Sequence, residues 1–223
     1  MQINRKRVWG KFAPRWQAFG LAVFATVVFT TGIGAQSPSP DVFRVEEDWQ
    51  LVVGQPDLDS NGPQVTCAIS PVDMQTAYCA FDVNYHTQPD YSAGGLQLHT
   101  WDPTDPVEIA NSSHTGMLQN EGETVTWTQT MTWNENVITF RVLNGESQTW
   151  GHFGGPNGLL VLNLPTALAN LDGYDPNVSL DNSGVSFASN LVSSLTLTAV
   201  RWYDVNGNLI KQVTTPQVVH PQD

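Results

Sequence analysis

The sequence predicts an all-β chain folded as an antiparallel two-sheet β-sandwich. Three observations carry this. Apolar and polar residues alternate in short runs, Pro, Gly and Asn interrupt those runs every ten residues or so, and no segment has the periodicity of an amphipathic helix. The 223 residues are 40% hydrophobic and only 13% charged, with two cysteines. That composition excludes collagen-like, coiled-coil and cysteine-rich scaffolds, and no repeat of solenoid length is present.

In chain order, strands are predicted over 43–53, 64–70, 76–86 and 95–101. The clearest follows at 123–133, E-T-V-T-W-T-Q-T-M-T-W. Val125, Trp127, Gln129, Met131 and Trp133 leave one face, and five threonines leave the other. Side chains alternate across a strand, so the indoles belong to the core and the threonines to the outside. Further strands are predicted at 137–143 and 146–153, with Asn144-Gly145 as the turn between them. Others are expected at 159–164, 178–187, 195–203 and 209–213. A second Asn-Gly, at Asn206, joins the last two, because Asn and Gly both accept the positive φ of a tight hairpin. In 195–203 the apolar parity slips between Leu195, Leu197 and Ala199 and then Val200 and Trp202, which suggests a bulge.

Residues 1–35 read as a signal peptide. Arg5, Lys6, Arg7, Lys11 and Arg15 form a basic start, residues 18–31 are uncharged and mostly apolar, and small residues lead to Ala35. Cleavage is expected after Ala35 or one residue earlier, because Ile33 is bulky for a cleavage site. The apolar run is nearer a dozen residues than the ~20 of a membrane span; retention as an anchor is the alternative. Residues 36–41 read as a linker, 42–214 as one sandwich domain and 215–223 as a flexible tail. After the leader, four basic residues (Arg44, Arg141, Arg201 and Lys211) face all 21 acidic ones, a formal charge of −17. That field repels nucleic acid and anionic membranes and attracts cations. The chain is therefore expected to be secreted, periplasmic or held at the cell surface. In that setting Cys67 and Cys79 are expected to pair. A hairpin turning near Asp73 would set them opposite one another, with Val65 against Phe81; the alternative is two free thiols buried in a β core.

The threonine strand and the run from Val137, V-I-T-F-R-V-L-N-G-E-S-Q-T-W-G, resemble the inner strands of concanavalin A-like and laminin G-like sandwiches. Residues 184–190, G-V-S-F-A-S-N, and then L-T-L-T-A-V-R-W-Y from Leu195, are similar in pattern. The resemblance spans much of 95–211. It implies a jelly roll, often calcium-bearing, that binds glycans or proteins. Glycan-cleaving members carry E-x-D-x-x-E on one strand face. Here Glu46-Glu47-Asp48 is followed by Leu51 where the second glutamate would stand.

Two features carry candidate chemistry. Asp57-Leu-Asp59-Ser-Asn61-Gly62 matches the first half of a calcium loop, in which alternate side-chain oxygens converge on a hard cation. Ala68 replaces the closing glutamate, so an EF-hand is excluded and a minimal calcium site or an ordinary polar turn remains. The second feature is strand parity. It places Gln97, His99 and Trp101 on one outward face and Gln148, Trp150 and His152 on another, with Asp82, Asn84 and Arg141 also outward. Indoles beside amides and imidazoles suit a sugar ring, which stacks its apolar face and hydrogen-bonds its hydroxyls. No nucleophile elbow, metalloprotease motif or phosphate loop is present. The first expectation is a secreted, non-catalytic, lectin-like carbohydrate-binding module with a candidate calcium site at Asp57, Asp59 and Asn61. The alternatives are a structural or adhesive cell-envelope protein that binds another protein, and a glycan hydrolase or lyase.

Overall fold

A computed structural model describes residues 40–55, 64–84, 95–104, 107–114, 116, 118, 120–155, 159–187 and 191–221. The leader, most of the linker and the Asp57–Asp59–Asn61 loop lie outside the described residues. The described chain forms thirteen strands and one short helix. The strands are β1 (Arg44–Val53), β2 (Gln64–Ile69), β3 (Tyr78–Val83), β4 (Leu96–Trp101), β5 (Ile109–Asn111), β6 (Thr124–Asn134), β7 (Val137–Ser147), β8 (Gly151–Phe153) and β9 (Val161–Pro165). They continue after helix α1 (Pro176–Asn182) with β10 (Gly184–Phe187), β11 (Val192–Tyr203), β12 (Leu209–Val213) and β13 (Gln217–His220). Every recorded pairing is antiparallel.

Two sheets result, as an all-β sandwich requires. The larger runs β12-β11-β1-β6-β7-β8, with β13 also on β11 and β9 on β7; the smaller runs β10-β2-β3-β4-β5. Alternation decides what lies between them. On β1, Val45, Trp49, Leu51 and Val53 are buried, and on β6 Val125, Trp127 and Met131 are. Trp49 and Trp127 are register partners whose rings stack at 6.4 Å and 9°. Phe81, from the smaller sheet, meets Trp127 edge-on at 5.5 Å and Phe153 at 6.3 Å. Gln129, also inward, donates its Nε2–H to the Cys67 carbonyl at 2.9 Å, a hydrogen bond that joins the sheets. Trp133 is only partly buried and donates its indole N–H to the Leu168 carbonyl at 2.7 Å.

Several elements differ from expectation. The segment expected as strand 178–187 opens instead with α1. Asp175 caps it by accepting from the Asn177 backbone N–H, and Pro176 supplies a preset φ where no amide bond is lost. The tail expected to fray is β13, which pairs with β11 and buries Val219. Asn144-Gly145 does not end a strand. Asn144 takes a φ of 53°, the ladder against β6 slips there, and β7 continues to Ser147. Gly145 is required by packing: a β-carbon on it would collide with the Phe153 ring. The real reversal is 148–150. By contrast, the suspected bulge in β11 is present, since Asp48 pairs with Ala199 and Trp49 with Leu197, leaving Thr198 extra. Asn206-Gly207 lies in the β11–β12 turn as expected, with Gly207 at φ 79°.

The cysteines are a correction. Both are buried and free. The β2–β3 register pairs Cys67 with Phe81 and Cys79 with Ile69, two residues away from the expected alignment. The reversal occurs near 71–77, where Asp73 accepts from the Gln75 and Thr76 amides and Ser70 accepts from Val72, so the hairpin is centred later than Asp73. Burial pushes both thiols up, with nearby acids adding to the shift. Unfolding the chain without reductant should expose two maleimide-reactive thiols per molecule, measured by mass; an absence of labelling at both positions that a reductant restores would contradict the free-thiol assignment.

One inward position on β1 is charged. Glu47 is fully buried and accepts from Trp49 Nε1–H at 2.9 Å, Tyr174 O–H at 2.6 Å and Ser179 O–H at 2.5 Å. It thereby ties α1 and the 171–174 turn to the centre of the larger sheet. Desolvation dominates the three hydrogen bonds and raises its pKa from 4.5 to about 7. The folded chain therefore holds a proton that the unfolded chain releases above pH 4.5. Stability contributed by this group is full below about pH 4.5 and is lost as pH rises toward 7, by about 3 kcal/mol. Glu47→Gln should flatten this part of the pH–stability curve in denaturant unfolding. An unchanged slope between pH 4.5 and 7 would contradict the assignment.

Candidate functional site

The residues singled out in the sequence fall in three places. The first is the outer face of the smaller sheet, where β3 and β4 pair Tyr78 with Trp101, Ala80 with His99 and Asp82 with Gln97. The Tyr78 and Trp101 rings stack at 5.7 Å and 20°, and His99 meets Tyr78 edge-on at 6.2 Å. Both stacked rings are partly exposed. His99 Nδ1 stands 3.0 Å from Asp82 Oδ2, an ion pair when the imidazole is protonated, though without good hydrogen-bond alignment at that oxygen. The other Asp82 oxygen accepts from Thr66 O–H at 2.5 Å. Burial, and then the Asp82 charge, push the Tyr78 phenol up. Tyr78 was not singled out in the sequence, although it shares the outward parity of Asp82 on β3 and is the direct register partner of Trp101.

Asp82, Asn84 and Gln97 were expected to be open to solvent, and all three are buried. Parity states which face a side chain leaves, not what lies over it. Asp82 sits beneath Thr66 and His99. Gln97 is tied to Asn111 on β5 through an Nε2–H to Oδ1 bond of 2.5 Å. β3 has already ended at Asn84, which turns to a φ of 64° and accepts the Leu118 amide at 3.1 Å. Tyr78, His99 and Trp101 are the side chains this face presents.

The second place is the 148–150 reversal. Gln148 and His152 are exposed there, and His152 pairs with Glu146 at 2.5 Å on the open surface. Trp150 is a correction: it belongs to the core, 8% exposed, and donates its indole N–H to the Gly116 carbonyl at 2.7 Å. Its ring lies against Phe153 and Gly95. Glu123 fixes the reversal by accepting from Ser147 O–H, Thr149 N–H, Thr149 O–H and Asn120 Nδ2–H. Gly95 precedes β4 and Trp101 ends it, so about 20 Å of strand separates the two indoles at 3.4 Å per residue. They do not form one platform.

Arg141 is in the third place, the outer face of the larger sheet. The acids there are engaged: Arg201 grips Asp48 through both terminal nitrogens, at 2.5 and 2.7 Å, and Glu46 through Nε at 3.0 Å. Glu46 also accepts from Tyr203 O–H at 2.9 Å and stands 3.3 Å from Arg44 Nε. Hydrogen bonding to Asp48, above all, raises the Arg201 pKa further. The Glu46/Asp48 pair, which share a strand face, are thus members of an ion-pair lattice joining β1 to β11.

Among the described residues no cluster of three or more acidic, imidazole or thiol groups could hold a metal, and no helix is long and apolar enough to cross a membrane. No protein-family model matches the chain, and no curated protein matches it either.

Truncating Trp150 to Ala should cost roughly 3–5 kcal/mol of stability, the usual range for a buried indole, measured by denaturant unfolding. A loss under 1 kcal/mol would return Trp150 to the surface.

Proposed function

We propose that this chain is an exported, non-catalytic binding module that takes carbohydrate on the outer face of its smaller sheet. The observation that carries the reading is the half-exposed Tyr78–Trp101 ring pair, flanked by His99 and set on a buried polar floor of Asp82 and Gln97. Partly exposed aromatic faces stack on the apolar face of a pyranose, and an imidazole held by a carboxylate donates to its hydroxyls. The Thr66–Asp82 and Gln97–Asn111 hydrogen bonds already fix that floor, so it need not reorganise on binding. The basic and apolar leader supports export. Calcium at Asp57, Asp59 and Asn61 is part of the proposal, as a second requirement rather than as the carrier of specificity.

A second reading is favoured by one observation. Ile109, 55% exposed on edge strand β5, is the register partner of His99, and Val107 beside it is 51% exposed. An apolar rim continuous with the aromatic pair suits an adhesive contact with another protein of the cell envelope.

A glycan array probed with the folded chain, with and without calcium, separates these. Binding to a defined glycan that Trp101→Ala weakens about tenfold, or ~1.4 kcal/mol, supports the first reading. No glycan bound under either condition overturns it.

A further inference from the structure

We infer that the outer face of the larger sheet carries a separate site for the carboxylate of an acidic saccharide, centred on Arg141. This inference does not rest on the aromatic face of the smaller sheet. The registers place one row straight across four strands: Arg201 on β11, Glu46 on β1, Thr130 on β6 and Arg141 on β7. The next row is Tyr203, Arg44, Thr132 and Thr139, with Asn163 of β9 beyond. A cleft of about 300 Å³ lies over these rows, walled by Arg44, Thr130, Thr132, Asn134, Thr139 and Arg141. That volume is at the lower end for small-ligand sites.

Arg141 differs from the other cations of the domain. Arg201 and Arg44 are committed to Glu46 and Asp48, Arg44 also lies 4.0 Å over the Tyr203 ring, and Lys211 lies 4.4 Å over the Trp202 ring. Arg141 has no acidic partner among the described residues, and its Nε–H is sealed from solvent without a hydrogen-bond acceptor. That nitrogen is closed to a ligand, so recognition falls to the two terminal nitrogens of Arg141, which no hydrogen bond or ion pair occupies among the described residues. The two terminal N–H groups that point away from Cζ form a fork whose spacing matches the two oxygens of a carboxylate. Around the cleft itself, Arg44 and Arg141 stand against Glu46 alone, which leaves it locally positive on a domain that is otherwise strongly acidic.

The walls select what bears the carboxylate. Apart from the cations and Glu46, they offer hydroxyls, one amide and a single apolar side chain, Leu143. Such a lining exchanges hydrogen bonds with sugar hydroxyls. An acidic peptide fits less well: β1, β6 and β7 are interior strands with their backbone groups already paired, so no sheet edge is free for an added strand.

The test is titration calorimetry of the full chain with a trigalacturonate, with the neutral trigalactoside and with sodium acetate and sulfate alone. Trigalacturonate should bind, and the neutral analogue should bind at least tenfold more weakly. Arg141→Gln should abolish the uronate signal and Arg141→Lys, which keeps the charge but lacks the fork, should weaken it about tenfold, each with an unchanged melting temperature. Should the Gln variant not fold, the Lys variant carries the comparison. Trp101→Ala should leave uronate binding intact, which separates this site from the aromatic face. Uronate binding unaffected at Arg141, no uronate binding by the folded chain, or acetate or sulfate bound as tightly as the trisaccharide would each overturn the proposal.

Discussion

The apolar layer between the two sheets is the constraint from which the rest follows. Trp49 stacks on Trp127, Phe81 closes onto Trp127 from the opposite sheet, and Phe153 closes onto Phe81. These four large rings set which parity of each strand faces inward. Once that parity is set on β1, β6, β3 and β4, every alternate residue is committed to an outer face. The threonine row, the Glu46–Asp48–Arg201 lattice and the Tyr78–Trp101 pair lie where they do because their neighbours in sequence are buried. A one-residue slip of β6 would exchange five threonines for Trp127, Met131 and their companions, which no outer surface could accept.

Polar groups placed inside this layer are few, and three of them tie its parts together. Gln129 spans the sheets to the Cys67 carbonyl. Glu47 collects three donors from β1, the 171–174 turn and α1, and so couples the only helix among the described residues to the centre of the larger sheet. Its burial makes the attachment sensitive to pH. Glu123 performs the equivalent task at the other end of the domain, where four donors from 120 and 147–149 hold the reversal beneath which Trp150 is packed. In each case a carboxylate organises irregular backbone that the apolar layer alone would leave undetermined.

The two outer faces have different chemistry. The smaller sheet offers aromatic rings on a buried polar floor, suited to stacking. The larger offers cations, hydroxyls and amides, suited to an anionic group. Three of the four basic residues after position 35 converge on that one face, so the strong negative charge of the chain is unevenly distributed.

The alternation in 123–133 was enough to establish the strand, its buried indole at Trp127 and its threonine face, and the broken parity of 195–203 was enough to anticipate the bulge at Thr198. Both are local properties, because a strand's period needs only its own residues. Asp175-Pro176 carried a helix-start signal that the apolar spacing of 178–187 obscured. Beyond that, sequence could not decide. Hairpin register set Cys67 beside Phe81 rather than Cys79, and this depends on how residues 70–77 spend their hydrogen bonds. Cover from other segments buried Asn84, Gln97 and Trp150. The convergence of Arg44, Arg141 and Arg201 depends on β1 entering the sheet between β6 and β11, a choice made by packing across more than a hundred residues of chain. Periodicity determined the faces, and tertiary structure alone decided which faces meet, because contacts between distant segments leave no local pattern to read.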